Sequence, residues 1–233
     1  MNSDWKKLIE KYRNDALLKP HLNKILINLF ILLISLILFI GLALMLESSF
    51  IKNSDQQIID YVFLNRTPYF TQIMKFTSRL GDSLGYVTVF TLMSFVLFLY
   101  KKWTLVMNAF FILLFSSGLN ILLKNAIARP RPFEFALVQA NYYSFPSGHA
   151  MSAIVFYGFL IYITNQLVKQ FWLKYLLFSI SVFLTLAMGL SRIYLGVHYP
   201  SDIIGGFLSG LFLLMFSLFI INLLKIRKIY FTY

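Results

Sequence analysis

"PSGHAMSAIVFYGFLIYITN", residues 146–165, is the stretch on which the architecture turns. Its apolar part, 150–163, is too short to cross a bilayer, which takes roughly 17 to 25 helical residues. The segment reaches that length only if a helix opens at Pro146 or Ser147 and runs to about Asn165. Pro suits the first helical turn and Ser suits the N-cap, so the local chemistry agrees with such a start. Read this way, Pro146-Ser147-Gly148-His149 is the mouth of a membrane helix, and the chain has six spans rather than five.

With this one at 147–165, the other apolar runs lie near 25–46, 84–100, 103–123, 171–190 and 203–224. The 233 residues are 59% hydrophobic and 13% charged, where a soluble domain is usually about one quarter charged. The implied solvent is lipid. The first run, and the charged segment 1–24 before it, are both too long for a signal peptide, so the run reads as a retained helix. No polar linker divides the chain. The expectation is an all-α, polytopic membrane protein: a six-transmembrane-helix bundle forming one domain over 1–233, with 1–24 as a cytoplasmic tail.

Six spans put both termini on one side. Thirteen of the 21 Lys and Arg fall there: six in 1–24, then Lys101, Lys102, Lys169, Lys174, Lys225, Arg227 and Lys228. The positive-inside bias therefore places the termini in the cytoplasm. Tyr100, Trp103, Trp172 and Tyr175 fall at the same interfaces, as aromatic belts do. The formal net charge of +12 then belongs to helix flanks beside anionic lipid, not to a nucleic-acid partner. The chain has no Cys, which excludes disulfides, thiolate metal sites and a Cys nucleophile.

On the opposite side the longest connection is 47–83. Pro68 opens a helical pattern there, with Phe70, Ile73, Met74, Thr77 and Leu80 on one face and Gln72, Lys75 and Arg79 on another. That spacing suits an amphipathic helix at the membrane surface, and equally a helix that only packs on the bundle.

Eight Lys and Arg remain on this far side, against the charge bias. Several are concentrated at helix ends. Lys124 closes the third span, and Arg129 and Arg131 follow in "KNAIARPRP". Ser191 and Arg192 close the fifth span, and "HYPSD", 198–202, opens the sixth. With PSGH, these stretches bring Lys, Arg, His, Ser and Asp to one membrane face. Several fixed cations with no matching carboxylates make an anion site. Arg offers a planar fork suited to phosphate oxygens, and Lys adds a point charge. A helix N-terminus at Ser147, Gly148 and His149 favours an anion as well, and Gly148 admits it closely. The ligand these residues point to is a phosphate group. His149 and His198 supply groups able to attack phosphorus or to protonate a leaving oxygen. Asp202, in the first turn of the sixth helix, is placed to hold one nitrogen of His198 and leave the other free. Only Glu134 and Asp202 stand near these motifs as acids, too few for a two-metal site, so no metal or other cofactor is expected.

Taken singly, each residue has a structural reading as a cap, an interface anchor or a packing glycine. Jointly they form a signature. K-x6-R-P is present as Lys124 with Arg131-Pro132, P-S-G-H as 146–149, and S-R-x5-H-x3-D as Ser191-Arg192 with His198 and Asp202. The chain therefore resembles the type 2 phosphatidic acid phosphatase family; the motifs span about a third of it and the six-helix layout nearly all. The resemblance implies a nucleophilic His198 forming a phosphohistidine, oriented by Asp202. It makes His149 the group that protonates the leaving oxygen and then activates water. Lys124, Arg131, Arg192, Ser147 and Gly148 would bind the phosphate. Arg129 is not a signature position, and Ser191 carries no assigned role.

The expected activity is hydrolysis of the terminal phosphate of a lipid phosphate or diphosphate at the extracytoplasmic face of the cell membrane. Undecaprenyl diphosphate, phosphatidylglycerophosphate and phosphatidate all satisfy the motifs, which see phosphate and not lipid. The alternative is a lipid phosphotransferase using the same intermediate. A haloperoxidase sharing the anion site is disfavoured by the six spans. A channel or transporter is disfavoured because polar groups cluster at helix ends, not at the midplane. Asn108, Asn120 and Asn222 read as interhelical hydrogen-bonders. Oligomeric state is not encoded in these motifs.

Overall fold

The structure, a computed structural model, describes residues 19–132 and 136–231, the side chains of 227–231 excepted. Among the described residues there are eight helices: α1 (Lys19–Met45), α2 (Ser49–Leu64), α3 (Pro68–Leu80), α4 (Ser83–Leu99), α5 (Trp103–Ile127), α6 (Gly148–Leu167), α7 (Phe171–Tyr194) and α8 (Pro200–Phe231). The fold is all-α. Five helices, α1, α5, α6, α7 and α8, are long and apolar enough to cross a membrane. A sixth crossing exists if α3 and α4 count as one span bent by 59°. The decisive stretch folds as expected, with Ser147 as N-cap accepting from Ala150 N and the helix running on to Leu167. The N-terminal tail up to residue 18 and Glu134 lie outside the described residues.

The connection 47–83 contains the helix expected from Pro68, as α3, and a further one, α2, ahead of it. Ser48 and Thr67 each cap a start, accepting from Ile51 N and Phe70 N. Pro68 occupies the first turn of the second. The α2 sequence masks its helix by mixing Asn53, Gln56 and Gln57 into an apolar pattern, so no single apolar stripe stands out.

α8 is the axis of the bundle, packed against α1 on one side and α6 on the other; α6 also packs on α7 and α5, and α3 on α7. The α6–α8 approach depends on Gly206 and Gly210, one turn apart. A Cβ there would lie 2.6 Å from Ser147 O and 2.6 Å from Met151 O, respectively. Small residues at this spacing let membrane helices meet backbone to backbone. Met151, Val155 and Phe159 of α6 then bury against Leu213 and Leu214 of α8. Phe30, Ile37, Phe115 and Phe183 point outward and are exposed, the arrangement a lipid solvent permits and water does not. Asn120 donates to Pro146 O at 3.1 Å, tying α5 to the start of α6. Asn222 instead bonds Leu218 O within its own helix.

Candidate active site

The C-terminal ends of α5 and α7 and the N-terminal ends of α6 and α8 meet at one end of the bundle. α5 stops where Ala128 takes a left-handed φ of 53° and its N–H bonds Lys124 O at 2.8 Å. Arg129 and Arg131 follow, each before a proline and so biased to extended backbone. Arg131 donates from Nη1 to Val197 O at 2.7 Å, from Nε to Tyr142 O at 2.8 Å and from Nη2 to Asn141 O at 3.0 Å. Lys124 Nζ donates to Tyr143 O at 2.5 Å. Arg192, in the last turn of α7, donates to Ser78 Oγ. Its Nε is buried without a hydrogen-bond partner among the described residues. All three cations are less than a tenth exposed, and none forms an ion pair with a carboxylate within 4.0 Å among the described residues. Buried charge left so is costly, and an anion in their midst would offset that cost.

His198 sits in the loop between α7 and α8, 2% exposed. Its Nδ1 lies 3.2 Å from Asp202 Oδ2 and its Nε2 lies 3.1 Å from Arg131 Nη1. A guanidinium only donates, so Nε2 carries the lone pair and Nδ1 carries the hydrogen that Asp202 accepts. Asp202 Oδ2 also accepts from Tyr199 N at 2.9 Å, which fixes the carboxylate. Burial, then the cations Arg131, Lys124 and Arg192, hold the His198 imidazole well below its ordinary range. The imidazole is therefore neutral at neutral pH, its Nε2 lone pair accepting from Arg131 Nη1. In an NMR titration of imidazole nitrogens in phosphate-free buffer, His198 is expected to stay neutral through pH 6. An ordinary His, at about 6.5, would be mostly protonated there. The folded state refuses a proton that the unfolded chain accepts, so this contribution to stability is present above about pH 6.5 and is lost below it.

His149, the second imidazole, stands in the first turn of α6. Its Nε2 lies 2.9 Å from Asp82 Oδ1. Ser147 N donates to Asp202 O at 3.0 Å, so the mouth of α6 is bound to α8 beside the cluster. Ser191 Oγ is taken up by Met188 O at 2.7 Å. A groove of about 560 Å³ runs from His149 and Asp82 past Tyr86 and Phe90 of α4 to Phe110 and Leu114 of α5. Phe110 and Leu114 are about half exposed on the outer face of the bundle.

A model of the PAP2 superfamily matches residues 105–225, which contain every signature position. Phosphatidylglycerophosphatase B of Bacillus subtilis (strain 168) is 32% identical over 179 residues, covering 75% of this chain and 87% of that protein. The chain belongs to the PAP2 superfamily. It is a multi-pass membrane phosphatase. An undecaprenyl-diphosphatase of Sulfolobus acidocaldarius is 33% identical over 114 residues, 46% of this chain and 50% of that one. The crystal structure of a transmembrane PAP2 type phosphatidylglycerolphosphate phosphatase from Bacillus subtilis superposes with a TM-score of 0.76. It is 27% identical and covers 87% of this chain and 98% of that one.

Two carboxylates in this PAP2 site escape the sequence reading, which found no acids to match the cations. Asp82 meets His149. Asp55 of α2, 3% exposed, meets Arg129. Arg129 Nη2 lies 2.8 Å from Asp55 Oδ2 and Nη1 lies 2.7 Å from Asp202 Oδ1. Ser201 closes the network, donating from N and Oγ to Asp55 at 2.9 and 2.5 Å. The Arg129 guanidinium also stacks 4.1 Å from the Tyr199 ring centre. Burial pulls its pKa down, but Asp202 and Asp55 together raise it above the ordinary arginine value. Arg129 is thus a charge-balanced strut behind Asp202, not one of the unpaired cations.

Proposed function

We propose that this membrane phosphatase removes the terminal phosphate of a lipid phosphate or diphosphate through a phosphohistidine on His198, without a metal. The observation that carries the reading is His198 Nε2, whose lone pair meets Arg131, at the end of the bundle where Lys124, Arg131 and Arg192 are buried with carbonyl or hydroxyl partners and, among the described residues, no carboxylate within 4.0 Å. Nε2 attacks phosphorus while those cations stabilise charge on the equatorial oxygens. The helix N-terminus at Ser147 and Gly148 adds to the same field. Asp202 holds Nδ1–H and stabilises the imidazole as its charge changes. As the P–O bond breaks, His149 gives a proton to the leaving oxygen. It then takes one from the water that cleaves the P–N bond.

The apolar groove leading to His149 supports a lipid as the leaving group, since its half-exposed walls let an alkyl chain lie against them. We read the whole chain as one phosphatase domain with cytoplasmic termini, the site facing the opposite side. Phosphatidylglycerophosphate, undecaprenyl diphosphate and phosphatidate are the substrates to compare. Among the described residues no three His, Asp or Glu side chains converge as metal ligands do. Purified protein is expected to release phosphate from at least one of the three with EDTA present, and intact cells to do so from added short-chain substrate. Loss of activity in EDTA would remove the metal-independent mechanism. Transfer of phosphate to an added lipid alcohol in preference to water would make the enzyme a transferase.

A further inference from the structure

Asp82 is a carboxylate beside a site built to hold an anion, a placement that costs phosphate binding unless it serves another end. It occupies the two-residue joint between α3 and α4, where the chain bends by 59°. As N-cap of α4 it would ordinarily bond its own helix. It makes no such bond, whereas Ser48, Thr67 and Ser147 all cap theirs. Its Oδ1 is turned instead to His149 Nε2 at 2.9 Å. The neighbouring Gly81 presses on the same ring: a Cβ there would lie 2.7 Å from His149 Cδ2. Tyr86 of α4 donates to His149 O at 3.4 Å. The joint is therefore shaped around this imidazole. Asp82 and His149 both line the apolar groove, where the lipid side of a substrate would lie.

We infer that Asp82 is a positioning residue for His149: it orients the ring and supplies the countercharge for the proton the ring carries. The inference rests on the proposed role of His149 as acid. Asp82 accepts Nε2–H throughout and stays ionised. The other ring nitrogen gives its proton to the leaving oxygen as His198 Nε2 bonds to phosphorus, and recovers one from water in the second half-reaction.

A proton donor matters most when the leaving group is strongly basic, and this separates the role from a structural one. The test compares kcat/KM, which reports the first phosphoryl transfer, for dioctanoyl phosphatidate and p-nitrophenyl phosphate. The first expels an alkoxide-type oxygen, the second a weakly basic nitrophenolate. Asp82→Asn is expected to lose about 100-fold on the lipid and at least tenfold less on the aryl ester, within the range general acids contribute. His149→Ala should show the same split in stronger form. Asp82→Asn keeps shape and should melt as the wild type does; Asp82→Glu should recover part of the lipid activity. An equal loss on both substrates, or none on either, would overturn the assignment of Asp82. Should His149→Ala show no split while Asp82→Asn does, the acid role of His149 fails and this inference with it.

Discussion

His198→Ala is expected to abolish turnover, by about 10⁴-fold or more, the scale on which removing a covalent nucleophile acts. The fold should survive. The ring is enclosed, but its partners keep others: Asp202 Oδ2 retains Tyr199 N, and Arg131 retains the carbonyls of Val197, Tyr142 and Asn141. The proposed phosphate cradle should survive as well, since Lys124, Arg131 and Arg192 stay in place. The variant should therefore still bind inorganic phosphate or vanadate while forming no acid-labile labelled phosphoprotein from a radiolabelled lipid phosphate. His149→Ala should differ in kind. With p-nitrophenyl phosphate it should still become phosphorylated and then accumulate label, because the water step lacks its base. A His198→Ala enzyme that retains turnover would place the nucleophile elsewhere.

The parts of this molecule legible in the sequence are those encoded locally. Apolar runs long enough to span gave the helices. The Ser147 cap and Pro146 marked where α6 begins. The signature residues were legible because their spacing fixes them to helix ends, and helix ends of one bundle face share a plane. Asp55 was not legible. Within "IKNSDQQIID" nothing local separates it from Asp60, which bonds Gln56 and is exposed. Arg129 and Ser201, both far along the chain, make one of the two a buried anion. Asp82 was hidden differently: after Gly81 and before an apolar run it reads as a routine helix start. That its side chain abandons the cap is a tertiary fact. Both acids that the sequence reading missed come from the 47–83 connection, outside the signature, and they meet Arg129 and His149, not Lys124, Arg131 or Arg192.

Arg129 and Lys124 are both buried cations at the same end of the bundle, and the structure predicts opposite consequences for removing them. Arg129→Leu would leave Asp55 and Asp202, 3% and 0% exposed, without their shared countercharge. Breaking a buried pair from one side typically costs about 3–5 kcal/mol. The loss should appear as a much lower Tm in detergent, with activity falling too, because Asp202 Oδ1 loses its anchor behind His198. Arg129→Lys should rescue little, since a single ammonium cannot serve Asp55, Asp202 and Ser201 with one rigid fork. Asp55→Asn combined with Arg129→Leu should recover part of the stability, because one stranded charge has gone with its partner. Lys124→Met removes a cation that, among the described residues, has only Tyr143 O as its hydrogen-bond partner. It should leave Tm unchanged or higher while lowering turnover about 100- to 1000-fold, the usual cost of deleting one preorganised charge stabiliser. Equal melting of Arg129→Leu and wild type would end the strut reading, and a Lys124→Met variant as unstable as Arg129→Leu would erase the distinction between the two cations. That distinction is physical: a cation matched by carboxylates stabilises the fold and has little left for a ligand. A cation held only by neutral oxygens strains the fold and keeps its field for the phosphate.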